Sequence, residues 1–596
     1  MPLHGGIRQR LGLCSRPSGN RSRSPRNGNP RSDDCDSAQV SGPTGLKLRD
    51  NIATLFMENK LSGKICQSIY ADAGDAGAVG VEDLGKCGNS GKKAGNIARD
   101  MMRKLMRGCK VPPEYWIEVP FKNIDTGDID TVPHPVLLPH EMLAYMVEHN
   151  PQLLQACHSN PGHGVFSHLL TWCKRFDTEV QTTVPIGLHG DGVPFAAKMR
   201  DSLECVSWNI ITDISGDRFL YTCFPKSFAA GRSTWDALLE VFAWSMKQLM
   251  FGLWPGCRHD GRPWQPSDKT RQTYSGRQLG AHAALLQIRG DWAFYKEVFN
   301  FPSWRARRCC WRCCAKNQKG ETSDFRDAST NANWRMERVP GHAFLAQQRA
   351  DGIKPSPLFQ TPGLEVDMVM IDWLHTMDLG VIADVLGNVF WDLLPFLGTG
   401  TQEERVKYLW SLAKHYYKQA SVPVRLDNLT LEMIKARGKP PKLRGRAAQV
   451  RYLLPFAAQM AEMFADESEH CRTLAIVTDT LLQLTLLNQT TPYQHEAAAG
   501  LSRQLALLLT GLEAEALLQG NDCNWRTKPK LHLMQELIEY QCFYSGAPCQ
   551  YWTYTDESWG GWLAKAGMRR GGKKTAPLVG LNVINRFRYM MDRQRR

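Results

Sequence analysis

Apolar residues come in three short runs between positions 184 and 224, each of the length of a β-strand. In the middle run, Val206, Trp208 and Ile210 alternate with polar residues, which is the period-two pattern of a half-buried strand. The turn-forming segment Asp213–Asp217 separates it from the third run. We therefore predict three strands, at Val184–His189, residues 206–210 and Phe219–Phe224.

The pattern then changes to a helical period and back to strand-like runs. Residues 233–254 carry an apolar face with a spacing of three or four, formed by Leu238, Phe242, Met246 and Leu249, and Ser233 stands where an N-cap is expected. Two further apolar runs, Ala284–Ile288 and Met368–Ile371, predict strands. Three strands, a helix and two more strands predict a mixed α/β sheet.

Composition and pattern divide the rest of the chain. Residues 1–45 are rich in Arg, Ser, Pro, Gly and Asn and predict a disordered basic tail. The segment 46–180 mixes helix signals with turns, so we expect a mostly helical region whose role the sequence does not indicate. The sheet is predicted within residues 181–375. A helical region is predicted for residues 376–525, and the chain then returns to the sheet region in residues 526–596. The overall expectation is an α/β (α+β overall) protein.

Charge favours an anionic partner. The formal net charge is +14, and residues 1–32 contribute seven arginines without an acid, so the remaining 564 residues are still basic by +7. Nucleic acid is the commonest partner of such a chain. The segment 21–26, Arg-Ser-Arg-Ser-Pro-Arg, fits a nuclear-import or nucleic-acid-binding arm, and equally a solvated tail.

The sequence also bears on location. We find no run of about 18 apolar residues and no apolar N-terminal signal, so we expect no membrane span and an intracellular protein. The 18 cysteines are then expected to be reduced thiols or metal ligands.

Two aspartates follow predicted strands. Asp191 comes after the run 184–189, and Asp291 comes after the run 284–288. If these strands are neighbours, both carboxylates project at one end of the sheet, where hard oxygen ligands suit Mg²⁺. Two such ions activate the attacking oxygen and stabilise the leaving oxygen at a phosphate. The competing interpretation is that each aspartate forms a turn or caps a helix.

Two short motifs follow Asp291. Cys310 and Cys313 form a C-x2-C pair, the spacing at which one turn presents two thiolates to zinc. Asp372 and His375 form a D-x2-H string after a predicted strand, with no role that the sequence assigns. The competing interpretation of the cysteines is reduced thiols in a basic loop.

The order of these features resembles a known family. Asp191-Gly192, Gly290-Asp291, the C-x2-C pair, the string Ile371–Gly380 and a long helical segment follow one another as in DDE-type cut-and-paste DNA transposases of the CACTA type and their relatives. The resemblance covers residues from about 180 to 596. It implies a ribonuclease H-like core interrupted by a helical insertion, two Mg²⁺ ions, DNA as substrate, a homo-oligomer and a nuclear location.

The resemblance also implies a third acid on a helix after the insertion. Glu557, followed by Ser558 and Gly560, looks like the third acid of the V(D)J recombinase, and we predict it as the third Mg²⁺ ligand beside Asp191 and Asp291. Asp556 and Glu539 are its rivals.

Relatives with a C-x2-C complete a zinc site with two histidines after the insertion. His532 stands at the first position, but Leu537 stands at the second. Glu536, one helical turn after His532, offers an oxygen ligand in its place. The zinc set that the resemblance implies is Cys310, Cys313, His532 and Glu536, and the alternative is a packed histidine on a helix face.

The C-terminal segment is basic. Residues 565–596 hold ten Lys or Arg and one acid. We predict phosphate contacts from Arg569, Arg570, Lys573 and Lys574, against the alternative of a solvated basic end.

Three functions remain open on the sequence. The first is an active transposase that cleaves a DNA phosphodiester and transfers the freed 3′-hydroxyl. The second is an inactive, domesticated copy that binds nucleic acid without cutting it. The third is a metal-stabilised interaction protein unrelated to DNA. No Walker loop is present, which argues against ATP hydrolysis.

Overall fold

The computed structural model describes residues 44–89, 95–159, 162–195, 201–213, 215–490, 492–568 and 575–594. The predicted tail, residues 1–45, lies outside this part of the chain except for its last two positions. Helix α1 begins at Thr44.

A four-stranded mixed sheet forms the centre of the molecule, in the order β5-β4-β3-β6. Strand β3 pairs antiparallel with β4 and parallel with β6, and β4 pairs antiparallel with β5. Helices cover both faces, so almost every residue of these strands is buried. The mixed α/β class is confirmed. The strands are β3 Thr183–Pro194, β4 Ser202–Ile210, β5 Phe219–Pro225 and β6 His282–Gly290.

The predicted strand at Met368–Ile371 is reduced to a single bridge. Val369 pairs in parallel with Ile288, and the amide of Met370 donates to the Ile288 carbonyl at 2.8 Å. A 3₁₀ turn at Val366–Met368 precedes it, and a helical segment follows at Leu374, so too few residues are extended to form a ladder. The segment still lies along β6 and continues the order of the sheet.

The predicted helix after β5 is α8, which spans Arg232–Phe251. Ser233 is not its N-cap, because the helix begins after Gly231 and the Ser233 hydroxyl donates to the Ala230 carbonyl at 2.9 Å. Gly252 ends the helix three residues earlier than expected, in the left-handed conformation that glycine adopts without strain (φ 68°).

A two-stranded hairpin lies ahead of the sheet and was not predicted. Strands β1 Tyr115–Lys122 and β2 Ile129–Val136 pair antiparallel. Buried and exposed residues alternate along β1, as in a half-buried strand. Prolines in both strands weaken the strand signal, since proline removes a ladder donor. The hairpin packs on β5, where Phe121 contacts Phe224 edge to face.

Helices α1–α4 form a small core of their own, together with Tyr589 and Met590 of the last helix. The helices ahead of β3 are α1 Thr44–Met57, α2 Gly63–Asp75, α3 Glu82–Gly85, α4 Ile97–Leu105, α5 Pro139–His149, α6 Leu153–Cys157 and α7 Val165–Phe176. Those between β5 and residue 350 are α8, α9 Lys269–Tyr274, α10 Trp292–Phe299, α11 Asn333–Met336 and α12 Gly341–Ala350.

From residue 374 to 518 the described elements are all helices. A π-helical segment, Leu374–Ile382, runs into α13 Ala383–Leu393, followed by α14 Gln402–Gln419, α15 Leu431–Ile434, α16 Ala447–Met463, α17 Glu469–Leu487 and α18 His495–Leu518. The chain then returns to the sheet through α19 Pro529–Gln535, a second π-helical segment Glu536–Gln541, α20 Cys542–Ser545, α21 Tyr554–Gly567 and α22 Ala576–Gln594.

One helical stretch, Leu374–Phe396, has the length and composition of a membrane span, with a mean hydropathy of 1.4 in its most apolar window. Of that window, 67% is buried inside the protein. Its side chains Val381, Leu386 and Phe390 belong to the main apolar core, so packing within the chain accounts for its apolar character.

Candidate functional site

Strand pairing places Asp191 and Asp291 side by side. Gly190 of β3 and Gly290 of β6 are the last paired residues of the parallel ladder, and each aspartate is the next residue along the chain. Neighbouring strands lie about 4.8 Å apart, so both carboxylates leave the sheet at the same end. Both residues line one small cavity at this end.

The two glycines are required by close packing. A Cβ at position 190 would lie 2.0 Å from the ring of Phe294, and a Cβ at position 290 would lie 2.7 Å from the carbonyl oxygen of Gly190. The first turn of α10 therefore sits directly on the end of the β3–β6 pair. This packing brings Asp291 and the helix start against the sheet.

Asp291 also caps α10, as the competing interpretation of the sequence anticipated. Its Oδ1 accepts the amide hydrogen of Phe294 at 2.6 Å. The cap fixes the orientation of the carboxyl group. The residue nevertheless lines both cavities at the end of the sheet, so capping and a role in the site are compatible.

Glu557 reaches the same place from α21, which packs on β3. Its Oε1 lies 3.6 Å from Nε2 of His375 and is buried with no hydrogen-bond partner in the described structure. Burial, and then the charge of Asp191 and a hydrogen bond with it, raise the pKa of Glu557 to about 8, although His375 opposes the shift. The three acids predicted from the sequence therefore lie together.

A fourth carboxylate stands behind them. Asp372 is 3% exposed, and its Oδ2 accepts hydrogen bonds from the backbone amide of His375 at 2.9 Å and from its Nδ1 at 2.8 Å. Its Oδ1 accepts the amide hydrogen of Thr553 at 3.0 Å. Asp372 thus connects the start of the Leu374 helical segment to the turn before α21. Its hydrogen bond to Nδ1 also orients the His375 ring so that Nε2 faces Glu557.

This pairing sets the protonation of both groups. Burial alone would raise the pKa of Asp372, but the hydrogen bonds and charge of His375 lower it below its ordinary value. Burial opposes a charged His375, yet the hydrogen bond and charge of Asp372 raise its pKa to about 9. In the metal-free protein His375 is therefore an imidazolium at neutral pH.

The two rivals of Glu557 are neutralised elsewhere. Asp556 is buried against Arg218 and Arg289, and these guanidiniums with His189 overcome burial and lower its pKa to about 2. Glu539 pairs with the buried Arg335, away from the sheet end. Neither carboxylate is available to join Asp191.

A second polar cluster forms where the cysteine loop meets α19 and the π-helical segment after it. One ligand atom from each of Cys310, Cys313, His532 and Glu536 lies within 4.8 Å of the others, and all four residues are buried. Sγ of Cys313 is 3.2 Å from Nε2 of His532, which is 3.5 Å from Oε1 of Glu536. These four side chains form a group that can hold a metal ion.

The surroundings of this cluster fix its side chains. Arg338 donates to both oxygens of Glu536, at 2.6 and 2.7 Å, and keeps the pKa of this buried carboxyl below its ordinary value despite burial. The His532 ring packs edge-on against Trp334. Leu537, at the position of the missing histidine, is fully buried in the main apolar core, so Glu536 is the residue that faces the cysteines.

Some predicted contacts lie outside the described residues. Arg569, Arg570, Lys573 and Lys574 belong to the segment 569–574, for which the structure describes nothing. Of the predicted basic C-terminal segment, the described part includes Arg586 and Arg588. Both are largely buried and bind backbone carbonyls of the N-terminal region.

Sequence reasoning missed a group of lysines beside the acids. Lys442, Lys528 and Lys530 line a cavity of about 530 Å³ that also borders Asp291, Asp372 and His375. Lys528 and Lys530 flank Pro529 shortly before His532, so the Lys-Pro-Lys string was the available signal. Lys442 comes from a loop far away in sequence, and no sequence pattern marked it as part of this group.

No known protein-family model matches the chain, and no curated protein is similar to it in sequence. The geometry of the two clusters is therefore the main guide to function.

Proposed function

We propose that the protein is a transposase or transposase-derived enzyme that cleaves DNA phosphodiester bonds with two Mg²⁺ ions held by Asp191, Asp291 and Glu557. One observation carries the proposal: three carboxylates from distant parts of the sequence meet at the end of the parallel β3–β6 pair. Like charges repel, so such a group is costly to the fold unless cations offset it.

The topology supports a ribonuclease H-like core. Three antiparallel strands are followed by α8 and by β6, which lies parallel to β3, and the Val369 segment extends the sheet beyond β6. This is the strand order that the resemblance to DDE-type transposases implies. The helices from residue 374 to 518 come between Asp291 and Glu557, as an insertion would.

The carboxylates fit hard divalent cations. Among the described residues, one buried oxygen of Glu557 has no hydrogen-bond partner. A carboxyl with a raised pKa that is surrounded by other acids gains most from a bound cation. When bound, Mg²⁺ activates the attacking oxygen and neutralises charge on the leaving oxygen. The role of this chain's acids is to position the ions, and Asp372 positions His375 beside them.

We also propose that Cys310, Cys313, His532 and Glu536 bind zinc. Two thiolates, one imidazole and one carboxylate are ligands that zinc accepts, and four ligands complete a closed structural site. Nε2 of His532 faces Cys313 and Glu536, while its Nδ1 is buried without a hydrogen-bond partner among the described residues. The bidentate Arg338 holds the carboxylate in place, as outer-shell partners of metal ligands do.

The test of the catalytic proposal is nicking of supercoiled plasmid DNA with Mg²⁺ or Mn²⁺. We expect wild-type protein to nick, and Asp191→Asn or Glu557→Gln to lower the rate by on the order of 100-fold or more. Asp522→Asn, at an exposed aspartate, is the matched control and should nick normally.

The other outcomes separate the alternatives. Tight, salt-sensitive DNA binding without nicking by the wild type would indicate an inactive copy that binds nucleic acid. If neither nicking nor DNA binding occurs, an interaction protein remains.

A further inference from the structure

A cavity of about 530 Å³ opens beside the acids, and its walls come from distant segments of the chain. One wall is the sheet end with Asp291, and a second is the start of the Leu374 helical segment with Asp372 and His375. A third wall is basic and comes from the segment 526–530 and from Lys442. The cavity therefore has an acidic side and a basic side.

Two ammonium groups contact one carboxylate on the basic side, and a third lines the same cavity. Nζ of Lys528 lies 2.7 Å from Oδ1 of Asp384, and Nζ of Lys442 lies 3.7 Å from the same oxygen. Nζ of Lys530 donates to the carbonyl oxygen of His375 at 2.6 Å. Asp384 carries one negative charge and the two lysines that contact it carry two positive charges, so this group has an excess positive charge.

All three lysines line the cavity. The side chains of Lys442 and Lys528 remain 40% and 35% exposed, so they are accessible from the cavity. A second anion placed among them would relieve the repulsion.

We propose that Lys442, Lys528 and Lys530 bind one backbone phosphate of the DNA strand, next to the phosphate that is cleaved at the acids. This inference rests on the proposed function for the identity of the ligand. The cavity connects the lysines with Asp291 and Asp372, as one strand passing from one phosphate to the next requires. Lysine contacts to phosphate are independent of base sequence.

Trp304 favours a nucleotide chain over a free phosphate ion as the occupant. Its side chain is 42% exposed, lines the same cavity and contacts Trp292 edge to face. An exposed indole offers a stacking surface for a base, which inorganic phosphate does not use.

Asp384 is the resident counter-ion of the lysines. It orders Lys528 and Lys442 when the cavity holds no phosphate, and it competes with an incoming phosphate for them. Asp384→Asn should therefore strengthen DNA binding, whereas loss of a merely structural ion pair would leave the affinity unchanged or lower it.

The experiment measures binding of a fluorescent 20-nucleotide single strand to the full chain at several salt concentrations, with Ca²⁺ in place of Mg²⁺ to prevent cleavage. For Lys442→Gln and for Lys528→Gln we expect about a three- to tenfold weaker affinity and a salt slope lower by about 1. Asp384→Asn should bind several-fold more tightly. Lys407→Gln, at an exposed lysine of α14, is the matched control and should bind as the wild type does. Thermal unfolding of each variant checks that it is folded.

The proposal is overturned if both lysine variants bind DNA with the affinity and slope of Lys407→Gln. It is also overturned if inorganic phosphate raises the melting temperature of the wild type but not of the lysine variants, while DNA affinity is the same in all of them. The lysines would then bind free anions and not DNA. Neither result depends on cleavage. A chain that fails to nick DNA but shows the expected slopes refutes the catalytic proposal and keeps this one.

Discussion

Asp291 shows how one residue serves the fold and the site together. Its carboxyl caps α10 through the Phe294 amide, and it borders both cavities at the sheet end. Asparagine caps helices about as well as aspartate, but it carries no charge and is a poor ligand for Mg²⁺. Substitution therefore separates the two roles.

We predict that Asp291→Asn keeps the stability of the wild type within about 0.5 kcal/mol and loses metal-dependent nicking. Asp291→Ala should lose nicking and also about 1 kcal/mol of unfolding free energy, because the cap is gone. Urea unfolding and the plasmid assay measure the two effects. Equal nicking by Asp291→Asn and wild type would remove this residue from the site.

Glu557 gives a prediction about pH in metal-free protein. Its pKa is about 8 in the folded chain, against 4.5 for an ordinary glutamate. The folded state therefore binds the Glu557 proton more tightly than the unfolded state does. The contribution of this proton to folding stability is complete below pH 4.5 and is lost as pH rises through 8. Glu557→Gln should match the wild type at pH 5 and exceed its stability by roughly 1–2 kcal/mol at pH 9, a figure reduced for partial exposure.

The comparison is made by chemical unfolding in buffer that contains no Mg²⁺ and no chelator, so that the acids are metal-free while zinc stays bound. A variant that is less stable than the wild type at pH 9 would show that the Glu557 carboxylate is favourably paired without a metal.

At the residue scale, the sequence identifies candidate acidic residues better than it identifies the side chains that contact them. Asp191 and Asp291 follow from apolar runs that end in Asp-Gly or Gly-Asp, because strand ends are readable from local pattern. The choice among Glu557, Asp556 and Glu539 depends on Arg218, Arg289 and Arg335, which approach only in three dimensions. Only the resemblance to the transposase family singled out Glu557 in advance.

At the element scale, the cysteine loop is held to α19 and the π-helical segment after it by the four-residue cluster. Cys310 and Cys313 are separated from His532 by more than 200 residues, so a bound metal links two distant parts of the chain. Metal binding by preformed ligands contributes to folding free energy.

We predict about one zinc per chain, lost in Cys310→Ser together with a lower melting temperature. Cys314→Ser, at a neighbouring half-buried cysteine outside the cluster, should retain zinc. Metal analysis by mass spectrometry after gel filtration measures both. Equal zinc content in the two variants would refute the site.

The ion pairs of Asp556 attach α21 to the sheet. Asp556 is 1% exposed and bonds Arg289, which is buried, and Arg218, whose side chain is 7% exposed. Removing one partner of a buried pair leaves charge uncompensated, so we expect Asp556→Ala to lower the unfolding free energy by about 3–5 kcal/mol. Urea unfolding measures this, with Asp522→Ala as the exposed control. A loss below about 1 kcal/mol would mean that the arginines are solvated or paired otherwise.

Element prediction worked where the apolar pattern is continuous and failed where local chemistry interrupts it. The strands β3 to β6 and helix α8 follow from periodicity. The β1–β2 hairpin was missed because its prolines argue against strands, although Tyr115, Ile117, Val119 and Phe121 alternate with more exposed residues. The fifth predicted strand is reduced to one bridge because a 3₁₀ turn precedes it and a helical segment follows it.

At the scale of the whole molecule, the last helix joins the first helices to the body. Arg586 of α22 is 6% exposed and donates to the carbonyls of Phe56 and Met57 at the end of α1. Burial lowers its pKa to about 10, because these contacts are to backbone oxygens rather than to a carboxylate. The contact satisfies carbonyls that the end of α1 leaves free.

We predict that Arg586→Ala loosens the unit α1–α4 from α22 and costs about 1–3 kcal/mol of local stability. Limited proteolysis should then cut within residues 44–107 while the remaining chain stays intact. Lys565→Ala, at an exposed residue of α21, is the control. Cleavage that appears throughout the chain at the same rate would indicate global destabilisation instead.

The site is a property of the whole chain and not of any segment. Its acids come from β3, from the start of α10, from the segment with Val369 that lies beside β6, and from α21. They converge only when the chain has returned through the helices between residues 374 and 518. Local sequence predicts each contributor separately. Their meeting, and the basic wall with Lys442, depend on the packing of elements that are hundreds of residues apart.

A crystal structure of the full chain grown with Mn²⁺, analysed by anomalous scattering, would show whether the three acids hold two metal ions. We predict two peaks about 4 Å apart, bound by the carboxylates of Asp191, Asp291 and Glu557, with His375 beside them. A structure in which the three carboxylates lie together but no peak forms between them at millimolar Mn²⁺ would contradict the account.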